Sequence, residues 1–310
     1  MKVALLFPGQ GSQAVGMGRS LAETFTEAKA VFDAADAALG FSLSSLCFSG
    51  PEEDLKLTEN TQPALVTTSV AALRALESRG VAVQAVAGHS LGEYSALVAA
   101  KSLAFEDAVR AVRLRGRYMQ EAVPVGKGAM AAILMLDAAQ VDEACAEAAQ
   151  GEVVSAANLN CPGQIVIAGD AAAVDRAIAL CTAKGAKRAI KLPVSAPFHC
   201  ALMKPAEMRL AMDLEKLPFA DASVPVYRNV DGEPQTSAAA ARDGLVRHVS
   251  LPVQWQKTLE SMSRDGFDTF IEVGAGTVVS GLVKKTLKGA RILNVEDAAS
   301  LEKTMEALKA

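Results

Sequence analysis

The stretch Val83–Tyr94, which reads VQAVAGHSLGEY, is expected to decide the architecture of this protein. It predicts a short apolar strand, a Gly-x-Ser-x-Gly turn and a helix over Ser95–Lys101. Gly88 and Gly92 lack a Cβ, so the chain can turn sharply and place the Ser90 hydroxyl at the tip of the turn, above the free N–H groups of the helix. This is the setting of a nucleophilic serine. The alternative is a glycine-rich turn in which the serine is a spectator.

Composition limits the classes of protein that need to be considered. The 310 residues are 51% hydrophobic and 21% charged, as in a globular α/β enzyme and unlike a disordered chain. The net charge of −4 gives no general attraction to nucleic acid or to an anionic membrane, and no apolar run approaches the ~20 residues of a membrane span. The five cysteines lack C-x-x-C spacing, which favours buried thiols in a reducing compartment. We therefore expect a soluble cytoplasmic protein that binds no metal, nucleic acid or membrane.

Strands alternate with helices along the chain, which predicts a mainly parallel sheet covered on both faces. Residues 127–196 differ, because their order is β-α-β-β-α-β, the pattern of a ferredoxin-like subdomain. We expect residues 1–126 and 197–310 to form one discontinuous catalytic domain, with 127–196 inserted as a subdomain. Other predicted elements are strands over Lys2–Phe7, Val224–Arg228, Thr269–Val273 and Arg291–Val295, and helices over Gly18–Leu39 (broken near Phe25), Asn60–Arg79, Phe105–Glu121, Pro197–Leu214, Asp243–Val249, Val253–Arg264, Val278–Leu287 and Ser300–Leu308.

A serine hydroxyl becomes a good nucleophile only when a base takes its proton. The candidates are the three histidines, His89, His199 and His248. His89 adjoins Ser90 on a sharp turn, so its side chain is expected to point elsewhere. His199 follows the inserted segment at a predicted loop-to-helix junction, which suits a base, although capping or packing would also place a histidine there. His248 is interpreted as a structural or supporting residue.

The helix over Phe105–Glu121 carries four arginines, of which Arg115 is followed by Gly116. The small residue would let a backbone or substrate approach closely, and a guanidinium can hold a carboxylate with two parallel hydrogen bonds. The alternative is a solvated face, which is the interpretation favoured for Arg110, Arg113 and Arg117.

Taken together, these residues resemble the malonyl-CoA:acyl-carrier-protein transacylases over essentially the whole chain. The matching segments are Phe7–Gln13, Thr61–Ala64, Gly88–Tyr94, Arg115–Gln120, Asn158–Gln164, Pro193–His199, Asn229–Asp231 and Glu272–Gly274. The resemblance implies an α/β-hydrolase-like domain with a mainly parallel sheet and an inserted ferredoxin-like subdomain, in agreement with the strand pattern.

The resemblance also implies roles at individual positions. Ser90 matches the nucleophile and His199 the base. The backbone N–H groups of Gln10 and Leu91 match the oxyanion hole, and Arg115 matches the partner of the malonyl carboxylate.

Other positions matter for orientation and selection. The backbone carbonyl of His248 matches the group that orients the base, and Met119, Asn160 and Gln62 match residues that line the pocket. Phe198 is similar to malonyl-selective members, because a bulky ring there would crowd an α-methyl branch. His248 departs from the family, which usually has Gln or Asn, and this leaves open whether its side chain enters the site.

The implied reaction moves a malonyl group from malonyl-CoA to the phosphopantetheine thiol of acyl carrier protein, through a malonyl-serine intermediate and in support of fatty acid synthesis. We expect a monomer without a cofactor. The alternatives are a stand-alone acyltransferase of a polyketide synthase, a serine (thio)esterase, or a silent docking module. Acidic carrier proteins favour a basic patch at the site mouth, for which the candidates are Lys284, Lys285 and Lys288 or Lys187, Arg188 and Lys191. The alternative, at least equally favoured for both clusters, is an ordinary solvated face.

Overall fold

The computed structural model describes residues 1–194 and 196–309. The first part of the chain forms strand β1 (Val3–Phe7), helices α1 (Arg19–Thr24), α2 (Thr26–Leu39), α3 (Leu43–Ser49), α4 (Glu52–Lys56) and α5 (Thr58–Ser78), strand β2 (Val86–Gly88), and helices α6 (Gly92–Ala99) and α7 (Phe105–Ala122). The middle part forms β3 (Gly128–Leu134), α8 (Ala138–Ala149), β4 (Val154–Cys161), β5 (Gln164–Asp170), α9 (Ala171–Ala183) and β6 (Arg188–Lys191).

The last part of the chain returns to the first and completes its sheet. It forms a 3₁₀ turn (Ala201–Met203), α10 (Lys204–Leu214), β7 (Val226–Tyr227), β8 (Pro234–Gln235), α11 (Ala238–Arg247), α12 (Trp255–Arg264), β9 (Thr269–Val273), α13 (Val278–Thr286), β10 (Arg291–Val295) and α14 (Ala298–Lys309). None of the helices within the described ranges is both long enough and apolar enough to cross a membrane.

The larger sheet has the strand order β10-β9-β1-β2-β7-β8. All neighbouring strands are parallel except β7 and β8, which are antiparallel. Strand β1 reads VALLF and is buried at every position, as expected for a parallel strand covered on both faces. The carboxyl ends of β1 and β2 lie side by side, and Ser90 follows β2 at this edge, where ligands bind in open α/β sheets.

The smaller sheet has the order β4-β5-β3-β6 and is entirely antiparallel. Its sequence order is the predicted β-α-β-β-α-β, and α8 and α9 bury their apolar residues against it. Helix α8 begins with a capping box in which the Asp137 carboxylate accepts from the Gln140 N–H, so the helix start is encoded locally. The expected α/β class, with a mainly parallel sheet and a ferredoxin-like unit, is confirmed.

The edge strand of the smaller sheet is joined to the segment that follows α11. The Leu159 N–H donates to the Val253 carbonyl at 2.9 Å, and the Val253 N–H donates to the Ala157 carbonyl at 2.9 Å. This bridge coincides with an irregular register of β4 near Asn158. The smaller sheet is therefore attached to the segment that follows His248.

Several predicted element bounds were wrong, and each error has a local cause. Helix α6 begins at Gly92, three residues before the expected Ser95, because the turn leads directly into the helix. Helix α11 begins at Ala238 and not at Asp243, since the Ser237 hydroxyl caps it by accepting from the Ala240 N–H. Short helices α3 and α4 were missed, and they carry too few residues to show a helical period.

Candidate active site

The turn that carries Ser90 is a strained nucleophile elbow. Ser90 has a φ of 51°, in the left-handed region that non-glycine residues rarely adopt. A Cβ added to Gly88 would lie 1.9 Å from the Gly92 carbonyl carbon, and one added to Gly92 would lie 2.5 Å from the Phe7 oxygen. Both glycines are therefore required by direct backbone contact, as the sequence pattern predicted.

Ser90 and His199 are hydrogen-bonded partners. The Ser90 Oγ lies 2.8 Å from His199 Nε2, and His199 Nδ1 lies 2.7 Å from the backbone oxygen of His248. A carbonyl oxygen can only accept, so Nδ1 carries the proton and Nε2 is free to accept the proton of the serine. Burial, together with the nearby Arg115 guanidinium, lowers the pKa of His199 to about 3, which keeps the imidazole neutral.

The local setting of His199 differs from the expected one. No helix begins at Pro197; a 3₁₀ turn starts at Ala201 and α10 at Lys204. His199 itself has a φ of 59°, which is incompatible with the first turn of a right-handed helix. The base is therefore presented by an irregular segment. Of the predicted segment Pro193–His199, Ser195 lies outside the described residues.

Arg115 is the buried arginine of α7. It is 2% exposed, and its guanidinium donates to Gln62 Oε1 at 2.7 Å and to Ser90 Oγ at 3.2 Å. A Cβ on Gly116 would lie 2.6 Å from the Thr58 oxygen, so the small residue lets α7 approach the start of α5. The group that approaches α7 closely at Gly116 is therefore the backbone of α5.

The other arginines of α7 contact residues of the protein surface. Arg110 pairs with Asp107, Arg117 pairs with Glu59, and the Arg113 guanidinium lies 4.3 Å from the centre of the Phe41 ring. The interpretation of these three as a surface face agrees with the structure.

The side chain of His248 enters the site, which settles the question that the sequence left open. It is completely buried, its Nε2 lies 3.1 Å from Arg115 Nη2, and its ring stacks on that of His199 at 5.6 Å. Burial and the adjacent Arg115 hold the pKa of His248 well below its usual value. His248 thus faces the base and the arginine at the same time.

His89 points away from the serine hydroxyl, as expected. Its Nε2 donates to Asn160 Oδ1 at 2.8 Å, and its ring packs edge-on against Trp255 at 5.3 Å. Since Asn160 lies on β4, this hydrogen bond joins the elbow to the smaller sheet. Asn160 and Gln62 both line the cavity, and Gln62 Nε2 also donates to the sulfur of Met119 at 3.8 Å.

Two residues of the site were missed by sequence reasoning as functional positions. Asn229 accepts from the Ser90 N–H at 3.0 Å and donates to the Gly88 oxygen at 2.8 Å, so its side chain fastens the elbow. Buried Glu93 accepts from the Asn229 N–H at 3.0 Å and from its side chain. Desolvation raises the pKa of Glu93 to about 7. Both residues lie in segments that resemble the family, but no local pattern distinguishes an asparagine that holds the elbow from an asparagine in an ordinary loop.

The backbone N–H groups of Gln10 and Leu91 are available to a ligand, because neither donates a hydrogen bond to any residue within 1–194 or 196–309. Gln10 follows β1, and its side chain donates to Thr58 Oγ1 at 3.3 Å. Leu91 stands immediately before α6, where helix N–H groups lack intrahelical partners. These are the two positions matched to an oxyanion hole.

A cavity of about 1180 Å³ lies over Ser90. Arg115 of α7 and Val278 of α13 line it together with Val166 of β5 and Leu192, which follows β6. Its walls therefore come from helices beside the larger sheet and from the smaller sheet. Phe198 also lines it and is 8% exposed. Among the described residues, no group of three or more His, Cys, Asp or Glu side chains could hold a metal ion.

A serine hydroxyl bonded to a neutral imidazole, at the carboxyl edge of a parallel sheet, defines the class of enzymes that transfer acyl groups through a serine. A family model described as "Acyl transferase domain" matches residues 4–307. A malonyl CoA-acyl carrier protein transacylase of Escherichia coli strain K12 is 53% identical over 283 residues, which cover 91% of this chain and 92% of the relative. The chain therefore belongs to the acyl transferase family and, within it, to the malonyl CoA-acyl carrier protein transacylases.

Solved structures agree with this assignment. An acyl carrier protein S-malonyltransferase from Vibrio cholerae superposes with a TM-score of 0.96 at 49% identity, over 98% of this chain and 100% of the other. A second match, described as a type II PKS acyl-carrier protein in complex with its malonyl-transacylase, has a TM-score of 0.97 at 47% identity and covers 99% of this chain and 100% of that one.

Proposed function

We propose that this protein transfers the malonyl group of malonyl-CoA to the phosphopantetheine thiol of acyl carrier protein, through malonyl-Ser90, in fatty acid synthesis. One observation carries the assignment: the Ser90 hydroxyl is shared between a neutral base, His199, and a buried guanidinium, Arg115. The base activates the hydroxyl, and the guanidinium lies where it can receive a carboxylate attached to the acyl group.

In the first half-reaction, Ser90 Oγ attacks the thioester carbonyl while its proton passes to His199 Nε2. The His248 carbonyl stabilises the resulting imidazolium through Nδ1–H. The oxyanion of the tetrahedral intermediate accepts from the N–H groups of Gln10 and Leu91, and loss of one such donor typically costs about 3 kcal/mol. The carbon–sulfur bond then breaks, CoA leaves with the proton of His199, and the malonyl group remains as an ester of Ser90.

The second half-reaction reverses these steps with a different thiol. His199 takes the proton of the phosphopantetheine thiol, the sulfur attacks the ester carbonyl, and Ser90 leaves with the proton that His199 returns. Because the two thiols use one acyl-enzyme in turn, ping-pong kinetics are expected.

Arg115 gives the site its selectivity for a carboxylate. Its guanidinium is buried and its Nε has no hydrogen-bond partner among the described residues, so it has capacity for an anionic ligand. A malonyl group supplies that anion, whereas an acetyl group leaves the buried charge without one, which is costly.

The carrier protein is proposed to dock beside α13. Lys284, Lys285 and Lys288 are exposed there, Lys285 donates to Gln164 Oε1 at 2.9 Å, and both Gln164 and α13 residues line the cavity. In the other basic cluster, Lys191 already pairs with Asp175. The α13 cluster therefore offers more unneutralised charge to an acidic partner.

Two alternatives remain distinguishable from this proposal. The similarity to a complex containing a type II PKS acyl-carrier protein favours a polyketide carrier as the second candidate acceptor. A serine hydrolase is disfavoured, because the group on His199 Nδ1 is a backbone carbonyl and not a carboxylate.

The test is to incubate the purified protein with malonyl-CoA or acetyl-CoA and a fatty acid acyl carrier protein, and to follow the carrier by mass. Malonyl-carrier as the main product supports the proposal, and carrier without the pantetheine arm is the control. Free malonate as the main product contradicts it in favour of a hydrolase. Faster transfer to a polyketide carrier would assign the pathway to polyketide synthesis.

The setting of the enzyme is proposed as a cytoplasmic monomer that needs no resident cofactor. One chain supplies the base, the nucleophile, the arginine and the cavity, and acyl transfer by this route requires only these side chains. Light scattering of the purified protein tests the oligomeric state.

A further inference from the structure

His248 occupies the carboxyl end of α11, and its backbone and side chain point to different partners. The last carbonyl groups of a helix have no N–H partner within the helix, so the His248 oxygen is available to accept from His199. The side chain is completely buried and turns to Arg115 instead. One residue therefore contacts both the base and the guanidinium.

The contact with Arg115 fixes the tautomer of His248. A guanidinium has only donors, so Nε2, at 3.1 Å from Arg115 Nη2, must be an unprotonated acceptor. The single proton of the neutral ring is then on Nδ1, which lies 3.7 Å from Glu93 Oε2. His248 Nδ1 has no hydrogen-bond partner among the described residues, and the Glu93 carboxylate is the polar group that lies beside it.

Glu93 connects this histidine to the elbow. Its carboxylate accepts from Asn229, whose side chain in turn accepts from the Ser90 N–H and donates to the Gly88 oxygen. The polar contacts therefore run from the guanidinium through His248, Glu93 and Asn229 to the backbone that holds the nucleophile.

We propose that the His248 side chain is a positioning residue for Arg115, holding the guanidinium at the place where it binds the malonyl carboxylate. Gln62 Oε1 holds Nη1 at 2.7 Å and His248 Nε2 holds Nη2 at 3.1 Å, so two fixed acceptors set the plane of the guanidinium. The third acceptor, Ser90 Oγ, becomes an ester during the reaction and cannot serve this purpose throughout. This inference rests on the proposed function and goes beyond it. In the proposed reaction only the backbone carbonyl of His248 takes part, whereas the inference assigns a role to its side chain.

The test compares His248→Leu with His248→Gln. Leucine removes the acceptor and keeps the backbone carbonyl for His199. Glutamine keeps the carbonyl and offers an amide oxygen at the depth of the imidazole Nε2. For His248→Leu we expect the KM for malonyl-CoA to rise about tenfold or more, as for loss of a hydrogen bond to a charged group, with a smaller change in kcat and no loss of acetyl transfer. In His248→Gln the preference for malonyl over acetyl is expected to return.

The outcomes separate this inference from the proposed function. If the wild-type protein transfers no malonyl group, the function is wrong. If the wild type transfers malonyl and His248→Leu keeps the preference for malonyl over acetyl, the positioning role is wrong. It is also wrong if both variants lower malonyl transfer and acetyl transfer by the same factor. Thermal melting checks that the variants fold.

A measurement on the wild-type protein keeps the inference testable if His248→Leu does not fold. In ¹⁵N-histidine NMR spectra, the resonances that disappear in His248→Gln are expected to belong to an imidazole protonated at Nδ1 only. Nε2–H or doubly protonated resonances would contradict the contact with Arg115.

Discussion

The protein has two interiors of opposite chemistry. Behind Ser90 lies a polar cluster formed by Gln62, Glu93, Arg115, Asn229 and His248, all at most 2% exposed. Between the smaller sheet and its helices lies a core of only Ala, Val, Leu, Ile and Cys side chains. Burial of ionisable groups destabilises a fold unless their partners compensate, whereas burial of apolar groups stabilises it.

The polar cluster is incompletely satisfied by the protein itself. Arg115 Nε, Glu93 Oε1 and His248 Nδ1 are buried without a hydrogen-bond partner among residues 1–194 and 196–309. Such groups cost stability, and in this cluster they lie beside the nucleophile and the base, where polar groups serve the reaction. We therefore expect substitutions in the polar cluster to change activity and those in the apolar core to change stability.

The largest effect is expected from Arg115→Ala. Truncating one partner of a buried charge pair typically costs about 2–5 kcal/mol, so kcat/KM for malonyl-CoA should fall at least about thirtyfold, while discrimination against acetyl-CoA relaxes. Arg110→Ala, on the same helix but at the surface with Asp107 and outside the cavity, is the control and should change the rate less than about threefold. Unchanged discrimination in Arg115→Ala would show that the carboxylate binds elsewhere.

In the apolar interior, Ile167→Ala is expected to reduce the free energy of unfolding by about 2–5 kcal/mol, because it leaves a cavity in a completely buried position of β5. The activity of the folded fraction should stay near that of the wild type. Denaturant titration measures the stability, and Ile190→Ala, at a position of the same sheet that is 47% exposed, is the matched control. Equal losses at both positions would contradict the account of this core.

Glu93→Gln tests whether the stability of the polar cluster depends on pH, a dependence that the apolar core cannot have. Because burial raises the folded-state pKa of Glu93 from 4.5 to about 7, the stability of the wild type includes a part that is present below pH 4.5 and is lost as the pH rises through about 7. The loss amounts to about 3 kcal/mol at 1.4 kcal/mol for each pKa unit. The glutamine variant should lack this dependence and unfold at a higher denaturant concentration than the wild type in alkaline buffer.

The control for that experiment is Glu147→Gln on the exposed face of α8, which should leave the pH dependence of stability unchanged. If Glu93→Gln and the wild type lose stability in parallel as the pH rises, the carboxyl group is already ionised at low pH and the polar cluster is better solvated than its burial indicates.

The sequence was sufficient for those parts of the molecule that have local causes. Gly88 and Gly92 predicted the elbow because steric contact at two positions admits only glycine, and alternation of elements predicted both sheets. The start of α10 was wrong because the left-handed conformation of His199 leaves no signal in composition.

Contacts between residues that are distant in the sequence could not be predicted from the residues alone. Glu93 and Asn229 are 136 positions apart, and nothing near either residue indicates that they share a hydrogen bond. The same holds for the His248 side chain, whose entry into the site depends on how the end of α11 lies against α7.

The proposed mechanism requires that Ser90 carries the malonyl group. The decisive measurement is to mix the protein with malonyl-CoA in the absence of any carrier protein, stop the reaction with acid, and map the modified peptide by mass spectrometry. One malonyl group on the peptide that contains Ser90, absent from Ser90→Ala, is the predicted result. A malonyl group on another residue, or labelling of Ser90→Ala to the same extent, would contradict the account.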